Sequence, residues 1–438
     1  MLRFFPLLLV FLALPACSPP AGKVRGVVLL VADGTSLELL AAARFFQGGA
    51  RGQLALDGMP HSAIVRTASA SHLVTDSSAA ATALARGIKA DNRMVGIAGR
   101  GSGTVSPSIL DLAKKAGWTT AVVTDDSVTG GTPSPFLIEH DNRNEHDRIA
   151  VKIGSQLGSR VDFLVGGGAK WFSDRSGDPG VVYQPGQREN ARMAQEALTA
   201  ADAAVFTSWE AFQSGTRDGS PRPALAVFAP EEFSYFADGL RTLRLLDLVQ
   251  ETLRLLQSRG KPYFLVVEAS LPDKAAHGNH ARRAMAEVLE FDAVVQWLRG
   301  HVGPDVLILA TTDHNTGGIV VNGYPPAQYQ GERLLGKDPV SGAGILTFAS
   351  GPGADPAAAN VRKRIVHEAG QPSREVAEAK DPLDPDFAQP ALIPSRSALH
   401  TGGDVWAFAQ GPGAGKVRGS MENTEIFRVM AEAVAGKP

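Results

Sequence analysis

Residues 27–36 read VVLLVADGTS: six apolar positions in a row, then Asp33 and the turn-forming Gly34. An apolar run with no polar alternation suits a strand covered on both faces, as in a parallel sheet flanked by helices. The design recurs at TTAVVTD (119–125), ALAVFAP (224–230), YFLVVEA (263–269), VLILATTDH (306–314) and ILTFASG (345–351). Amphipathic segments lie between these runs. RLLDLVQETLRLL puts Leu246, Val249, Leu253 and Leu256 on one helical face, and RAMAEVLEFDAVVQWL does the same with Met285, Val288, Phe291, Val295 and Leu298. The alternation predicts an α/β fold with a mostly parallel central sheet flanked by helices on both faces. There is no internal repeat. Segments 206–223 and 371–395 read as loops or insertions.

Ligands of open α/β sheets bind at the carboxyl ends of the strands, so the residues after each run carry the chemistry. They are Asp33; Glu268, Asp273 and His277 in VVEASLPDKAAHGNH; Asp313 and His314 in LATTDHNTGG; and, near the end, His400 in SALHTGGDVWAF. Each has an ordinary reading alone. Asp33 before a glycine is a turn residue, Asp273 a helix cap, and His400 one of ten histidines. No G-x-G-x-x-G follows the first run, so a dinucleotide site is not indicated. Together they supply the oxygen and nitrogen ligands that zinc accepts, and two divalent ions roughly 4 Å apart can clamp a phosphoryl transfer. TDSSAAATALAR, from Thr75, adds a helix start whose unpaired N–H groups favour an anion. Asp76, Ser77 and Ser78 are good N-cap types, and a serine there is equally a candidate nucleophile. Length alone suggests about three domains. Ligands spread from residue 33 to residue 400 that must meet within a few ångströms argue instead for one.

The 438 residues are 44% hydrophobic and 20% charged, with 43 Lys+Arg against 45 Asp+Glu, so neither a nucleic-acid stripe nor an acidic tail is indicated. Arg3, the apolar run FFPLLLVFLAL and LPAC have the layout of a secretory signal of the lipoprotein type. Met1–Ala16 is therefore expected to be removed and Cys17 lipidated, placing a domain of residues 24–436 in the periplasm or cell envelope. Cys17 is the single cysteine, which excludes an internal disulfide.

Five stretches, in order, resemble the alkaline phosphatase family: TDSSAAATALARGIKADNRMVGI, GTPSPFLIEHDNR, VEASLPDKAAHGNH, TTDHNTGG and SRSALHTGGDVWAFAQGPGAGKVRGSMENTEIF. The resemblance runs from about Val27 to the C-terminus. It implies hydrolysis of phosphate monoesters through a phosphoserine, with Ser77 as nucleophile and Arg143 holding the phosphate beside Asp76. It assigns Asp273, His277 and His400 to one zinc and Asp33, Asp313 and His314 to a second. Asp33, Thr132 and Glu268 match a magnesium site, and Lys274 matches a lysine near it that serves the phosphate. One position departs: the family carries an aspartate or histidine where Gly130 stands. The magnesium shell is thus one protein ligand short, to be filled by water, Asp125 or Asp126, and a weaker magnesium requirement is expected. The competing readings are a phosphodiesterase or sulfatase of the same superfamily, and a non-catalytic, lipid-anchored metal- or phosphate-binding protein. Homodimers are common in the family; membrane contact is expected only through the N-terminal lipid.

Overall fold

A computed structural model describes residues 24–99, 105–173, 184, 186–219, 222–354 and 381–437, and the backbone of 364–366 and 374–376. The expected signal segment and Cys17 lie outside the described residues. Ten strands form the central sheet: β1 (Gly26–Ala32), β2 (His61–Arg66), β3 (Thr119–Ser127), β4 (Phe163–Gly167), β5 (Ala204–Phe206), β6 (Ala224–Val227), β7 (Tyr263–Ala269), β8 (Val306–Thr311), β9 (Val405–Gln410) and β10 (Gly419–Glu422). Their spatial order is 10-2-9-8-1-7-3-4-6-5. β1 lies between β7 and β8, parallel to both, and β9 is antiparallel to its neighbours β8 and β2. Every other pairing is parallel.

The continuous apolar runs have the burial they predict. All seven residues of β1 and of β7 are buried. Val28 and Leu30 point into one core layer and Val27, Leu29 and Val31 into the other. The helices Leu37–Gly48, Leu245–Ser258 and Ala281–His301 cover the first face; Ser77–Arg86, Ile109–Lys115, His146–Gly154 and Asn423–Val434 cover the second. Each buried Val or Leu of these layers contributes about 1.5–3 kcal/mol by leaving water. Val249, Leu253 and Leu256 are buried as the periodicity requires, while Leu246 is half-buried; Met285, Val288, Phe291, Val295 and Leu298 are all buried.

Three expectations change. Leu346–Gly351 is a strand, but it joins a separate three-stranded sheet with Val320–Val321 and Ala391–Pro394. Its burial alternates at Leu346, Thr347, Phe348 and Ala349, because only one face is packed. Segment 206–223 contains a helix, Trp209–Gly215, whose N-cap Ser208 accepts a hydrogen bond from the Ala211 N–H and whose Phe212 is buried. Residues 381–395 of the second segment hold contacts with the rest of the fold: Asp386 pairs with Arg283 at 2.6 Å, and Ala391–Pro394 lies in the small sheet. A single sheet containing strands from Gly26 to Glu422 agrees with one domain rather than three.

This topology gathers the candidate residues. Asp33, Asp313 and the Glu268 end of β7 lie at the carboxyl edge of parallel strands. β9 runs the other way, so the residues preceding it reach that same edge. There His400–Thr401 pairs antiparallel with Asn315–Thr316, which follows β8.

Candidate active site

Ser77 is the first residue of the helix Ser77–Arg86. Asp76 is its N-cap and accepts from the Ala79 N–H at 3.0 Å through Oδ1; its Oδ2 accepts from Ser78 Oγ and from the Arg93 N–H, each at 3.0 Å. The cap is thus Asp76, which leaves Ser77 Oγ available. That oxygen lies 3.1 Å from His314 Nε2.

Around His314 stands an inner donor set. Its Nε2 is 3.2 Å from Asp313 Oδ2 and 3.6 Å from Asp33 Oδ1. Donor atoms of Asp33, Asp313 and His314 all lie within 4.8 Å of one another. Asp33 Oδ1 and Asp313 Oδ2 are buried and accept no hydrogen bond from any described group. Burial, with the nearby Asp313, Asp273 and Glu268 charges, holds the Asp33 carboxyl well above the ordinary range. Burial and Asp273 push Asp313 up to about 6. Burial and His400 depress His314, so its imidazole is neutral and keeps a lone pair. Orphaned buried carboxylate oxygens beside a neutral imidazole fit a divalent cation.

The outer set comprises Asp273 and His277, from the helix Leu271–His277, and His400. His277 Nε2 lies 3.3 Å from Asp273 Oδ2 and 3.2 Å from His400 Nε2, and His400 Nε2 is 3.8 Å from Asp273 Oδ1. The other ring nitrogens are engaged: His277 Nδ1 is 2.6 Å from the Ala398 carbonyl, and His400 Nδ1 is 3.0 Å from that of Thr75. A carbonyl only accepts, so these contacts place a proton on each Nδ1 and turn the two Nε2 atoms toward each other. Two neutral rings in this arrangement would offer both Nε2 lone pairs to a cation beside the Asp273 carboxylate. Thr316 Oγ1 donates to Asp273 at 2.5 Å and lies 3.3 Å from His314 Nδ1, linking the two sets. Asp273, His314 and His400 likewise offer donors within 4.8 Å, so His314 borders both groups.

Beside the inner set, Thr132 Oγ1 donates to Asp33 Oδ2 at 3.4 Å, and buried Glu268 accepts from Thr124 Oγ1. A Cβ at Gly130 would fall 2.6 Å from Asp126 Oδ2. The space that a side chain at position 130 would enter is therefore occupied by the carboxylate of Asp126, four residues upstream. Asp126 Oδ1 accepts from the Ser127 N–H at 2.7 Å and pairs with Lys274 Nζ at 2.9 Å. Lys274 also reaches Glu232 at 3.3 Å, so it meets the site through carboxylates. Asp125 turns away: its Oδ1 accepts from the Ser270 N–H at 2.7 Å and its Oδ2 lies 3.6 Å from Arg241.

Arg143 Nη1 donates to Asp76 Oδ2 at 3.2 Å. Its guanidinium lies against Gly131, where a Cβ would come within 2.4 Å, so only glycine permits that approach. Burial opposes its charge, but Asp76, Asp33 and Asp126 outweigh it and raise its pKa further. A cavity of about 350 Å³ is lined by Ser77, Arg93, Arg143, Asn144, Asp273, His277 and His400. Every candidate read from the sequence thus lies in or beside one cluster. Arg93, Asn144 and Thr316 are additions, and no pattern in the sequence singles them out.

The alkaline phosphatase family model matches residues 24–435. Alkaline phosphatase 4 of Bacillus subtilis is 27% identical over 376 residues, covering 82% of this chain and 77% of the relative. A cold-active alkaline phosphatase from a psychrophilic Shewanella superposes with a TM-score of 0.68 at 26% identity, over 93% of this chain and 99% of that one. The alkaline phosphatase of the Antarctic bacterium TAB5 gives 0.69 at 22% identity over 95% and 100%, which speaks to the fold; a variant of it is described with magnesium bound. The chain belongs to the alkaline phosphatase family.

Proposed function

We propose that the protein hydrolyses phosphate monoesters through a phosphoserine on Ser77, with zinc at the inner and outer donor sets and magnesium beside Glu268 and Thr132. The carrying observation is Ser77 Oγ at a helix N-terminus, 3.1 Å from His314 of the inner set and lining one cavity with the outer set. Asp33, Asp313 and His314 would hold one zinc; Asp273, His277 and His400 the other; Asp33, Thr132, Glu268 and Asp126 would surround the magnesium. When bound, such cations neutralise charge on the transferring phosphoryl group and lower the pKa of a neighbouring hydroxyl or water.

The protein groups do the rest. Arg143, aimed by Asp76, grips two non-bridging phosphate oxygens through its planar fork. The unpaired N–H groups of the helix start favour the same dianion. Ser77 Oγ bonds to phosphorus as the ester oxygen leaves with its electron pair and takes up a proton. Water then cleaves the Ser77 Oγ–P bond, returning the hydroxyl and releasing inorganic phosphate. Positioning and charge stabilisation supply nearly all the rate in such a reaction. Lys274 acts through Asp126, neutralising part of that carboxylate's charge.

The test is a comparison of monoester, diester and sulfate ester rates on zinc-loaded protein, with trapping of labelled phosphoenzyme. Monoester turnover with acid-stable label is expected, and Ser77→Ala should remove the label and lower kcat by roughly 10⁴-fold or more. Label persisting in that variant would refute the nucleophile. A diester or sulfate ester rate above the monoester rate would refute the substrate class, and no turnover would favour a binding protein. The same reading includes export, with Met1–Ala16 removed, Cys17 lipidated and residues 24–436 as an envelope domain. Among the described residues, no helix is long and apolar enough to cross a membrane.

A further inference from the structure

We propose that Arg93 is a specificity residue that reads a second anionic group on the alcohol portion of the substrate; this rests on the monoester reading above. Three observations converge on it. First, Arg93 lines the cavity with Ser77 and Arg143, yet its side chain is exposed. Second, its backbone is left-handed, with φ 74°. A long side chain in that region is disfavoured, and such positions persist where their surroundings fix them. Here the Arg93 N–H donates to Asp76 Oδ2 at 3.0 Å, and the Arg93 carbonyl accepts from the Arg143 N–H at 2.9 Å. The backbone is clamped between the cap of the nucleophile's helix and the phosphate-gripping arginine, and glycine would fit it with less strain.

Third, the guanidinium is uncommitted. Among the described residues, none forms a hydrogen bond or ion pair with it. Asp76, which holds the Arg93 backbone, is already spent: its Oδ2 serves Ser78 Oγ, the Arg93 N–H and Arg143 Nη1, and its Oδ1 serves the Ala79 N–H. A second cation, itself without a partner, at the rim of a phosphate pocket is complementary to a second negative group on the ligand. A monoester of a neutral alcohol needs Arg143 only. One whose alcohol carries a carboxylate or another phosphate, with Asn144 beside it, also satisfies Arg93.

The experiment uses the zinc-loaded full-length protein and three substrates of similar reach: ethyl phosphate, phosphoglycolate and ethylene glycol bisphosphate. The readout is the ratio of kcat/KM for each anion-bearing alcohol, carboxylate or phosphate, to that for ethyl phosphate. Arg93→Gly, which suits the left-handed backbone, should lower one or both ratios roughly tenfold, mainly through KM, as expected for a charge-assisted contact. The ratio that falls further names the preferred anion. Arg93→Lys should restore part of the ratio, and added salt should lower it in the wild type more than in Arg93→Gly. Ratios unchanged by Arg93→Gly overturn the proposal, as does an equal loss on all three substrates, which would make Arg93 part of the grip on the reacting phosphate. Failure of the wild type to turn over ethyl phosphate would instead overturn the monoester reading itself.

Discussion

The two donor sets share chemistry but not surroundings. In the inner set the side chains of His314 and Asp313 are 0% exposed and that of Asp33 is 7%. In the outer set Asp273 is 11%, His400 18% and His277 30% exposed. The electrostatics divide accordingly. Burial dominates inside, raising both carboxyls and depressing the imidazole. Outside, burial works against the charged forms too, but pairing wins: His277 and His400 hold Asp273 well below the ordinary carboxylate range, and Asp273 raises His277. The inner set is unsatisfied without a cation, whereas the outer set can satisfy itself with a proton. Affinity and function therefore need not be split evenly between them. The buried set contacts Ser77, and the partly exposed set opens onto the cavity where an alcohol would depart.

Removing one ligand from each side puts that contrast under the greatest load. On the proposed assignment, Asp313→Asn is expected to lose about one equivalent of zinc and to lower kcat roughly 10³-fold, with no recovery in excess zinc, because Asp313 lies against His314, which touches Ser77 Oγ. His277→Asn should cost about 10–100-fold and recover substantially with added zinc, since water can complete a half-open shell. Metal analysis and kinetics across a zinc titration measure both. Equal losses, or recovery of Asp313→Asn alone, would mean that exposure does not rank the two sites.

A second measurement probes the charge balance directly. Asp313 titrates at about 6 in the folded chain against 3.8 for the ordinary carboxyl. A folded pKa above the unfolded one means that the native state binds the extra proton. Its contribution is therefore fully present below about pH 4 and is lost as pH rises through 6. A rise of that size corresponds to about 3 kcal/mol, and the raised Asp33 adds in the same direction. Metal-stripped protein should accordingly lose thermal stability between about pH 4 and 7, and zinc should restore most of it at neutral pH. The difference in Tm between stripped and zinc-loaded protein is the quantity to follow. It isolates the site from Glu287, a buried carboxyl elsewhere, which burial pushes up to about 8 with the same sign. A difference that does not grow with pH would show that the inner carboxylates are already compensated.

What the amino-acid sequence disclosed follows the same division between buried and exposed. Strands β1, β7 and β8 announce themselves because both faces are buried, and their last residues led directly to Asp33, Glu268, Asp313 and His314. β2 and β10 did not, since their packing is one-sided: Ile64 of β2 is exposed while Ala63 and Val65 are buried. The antiparallel β9 was equally hidden as a partner, because direction leaves no mark on composition. His400 follows none of the apolar runs, so it stood among the candidates without a strand end to place it, and its position follows from β9 running backwards. Arg93 and Thr316 matter through a backbone angle and a side-chain contact, which no spacing rule encodes. Gly130 was visible as a gap, but the group that fills it could be chosen between Asp125 and Asp126 only in three dimensions.

That choice yields the smallest expected effect. Asp125 is committed to the Ser270 N–H and faces Arg241, whereas Asp126 occupies the space a side chain at position 130 would need. Its backbone N–H donates to Thr124 Oγ1 at 2.9 Å, and that hydroxyl donates to Glu268, so the two carboxylates are placed through one threonine. Lys274 then neutralises part of the Asp126 charge, which should weaken its pull on magnesium relative to an unpaired carboxylate. Magnesium should activate the zinc-restored wild type modestly. Asp126→Asn should reduce its affinity about tenfold without changing zinc content, the size expected for a group that orients or completes a shell. Lys274→Met should tighten magnesium binding by freeing Asp126. Titration of magnesium into each zinc-loaded variant, read by calorimetry as well as by rate, checks both signs. If Asp126→Asn binds magnesium like the wild type, the upstream carboxylate fills the space at Gly130 without taking over a ligand's task.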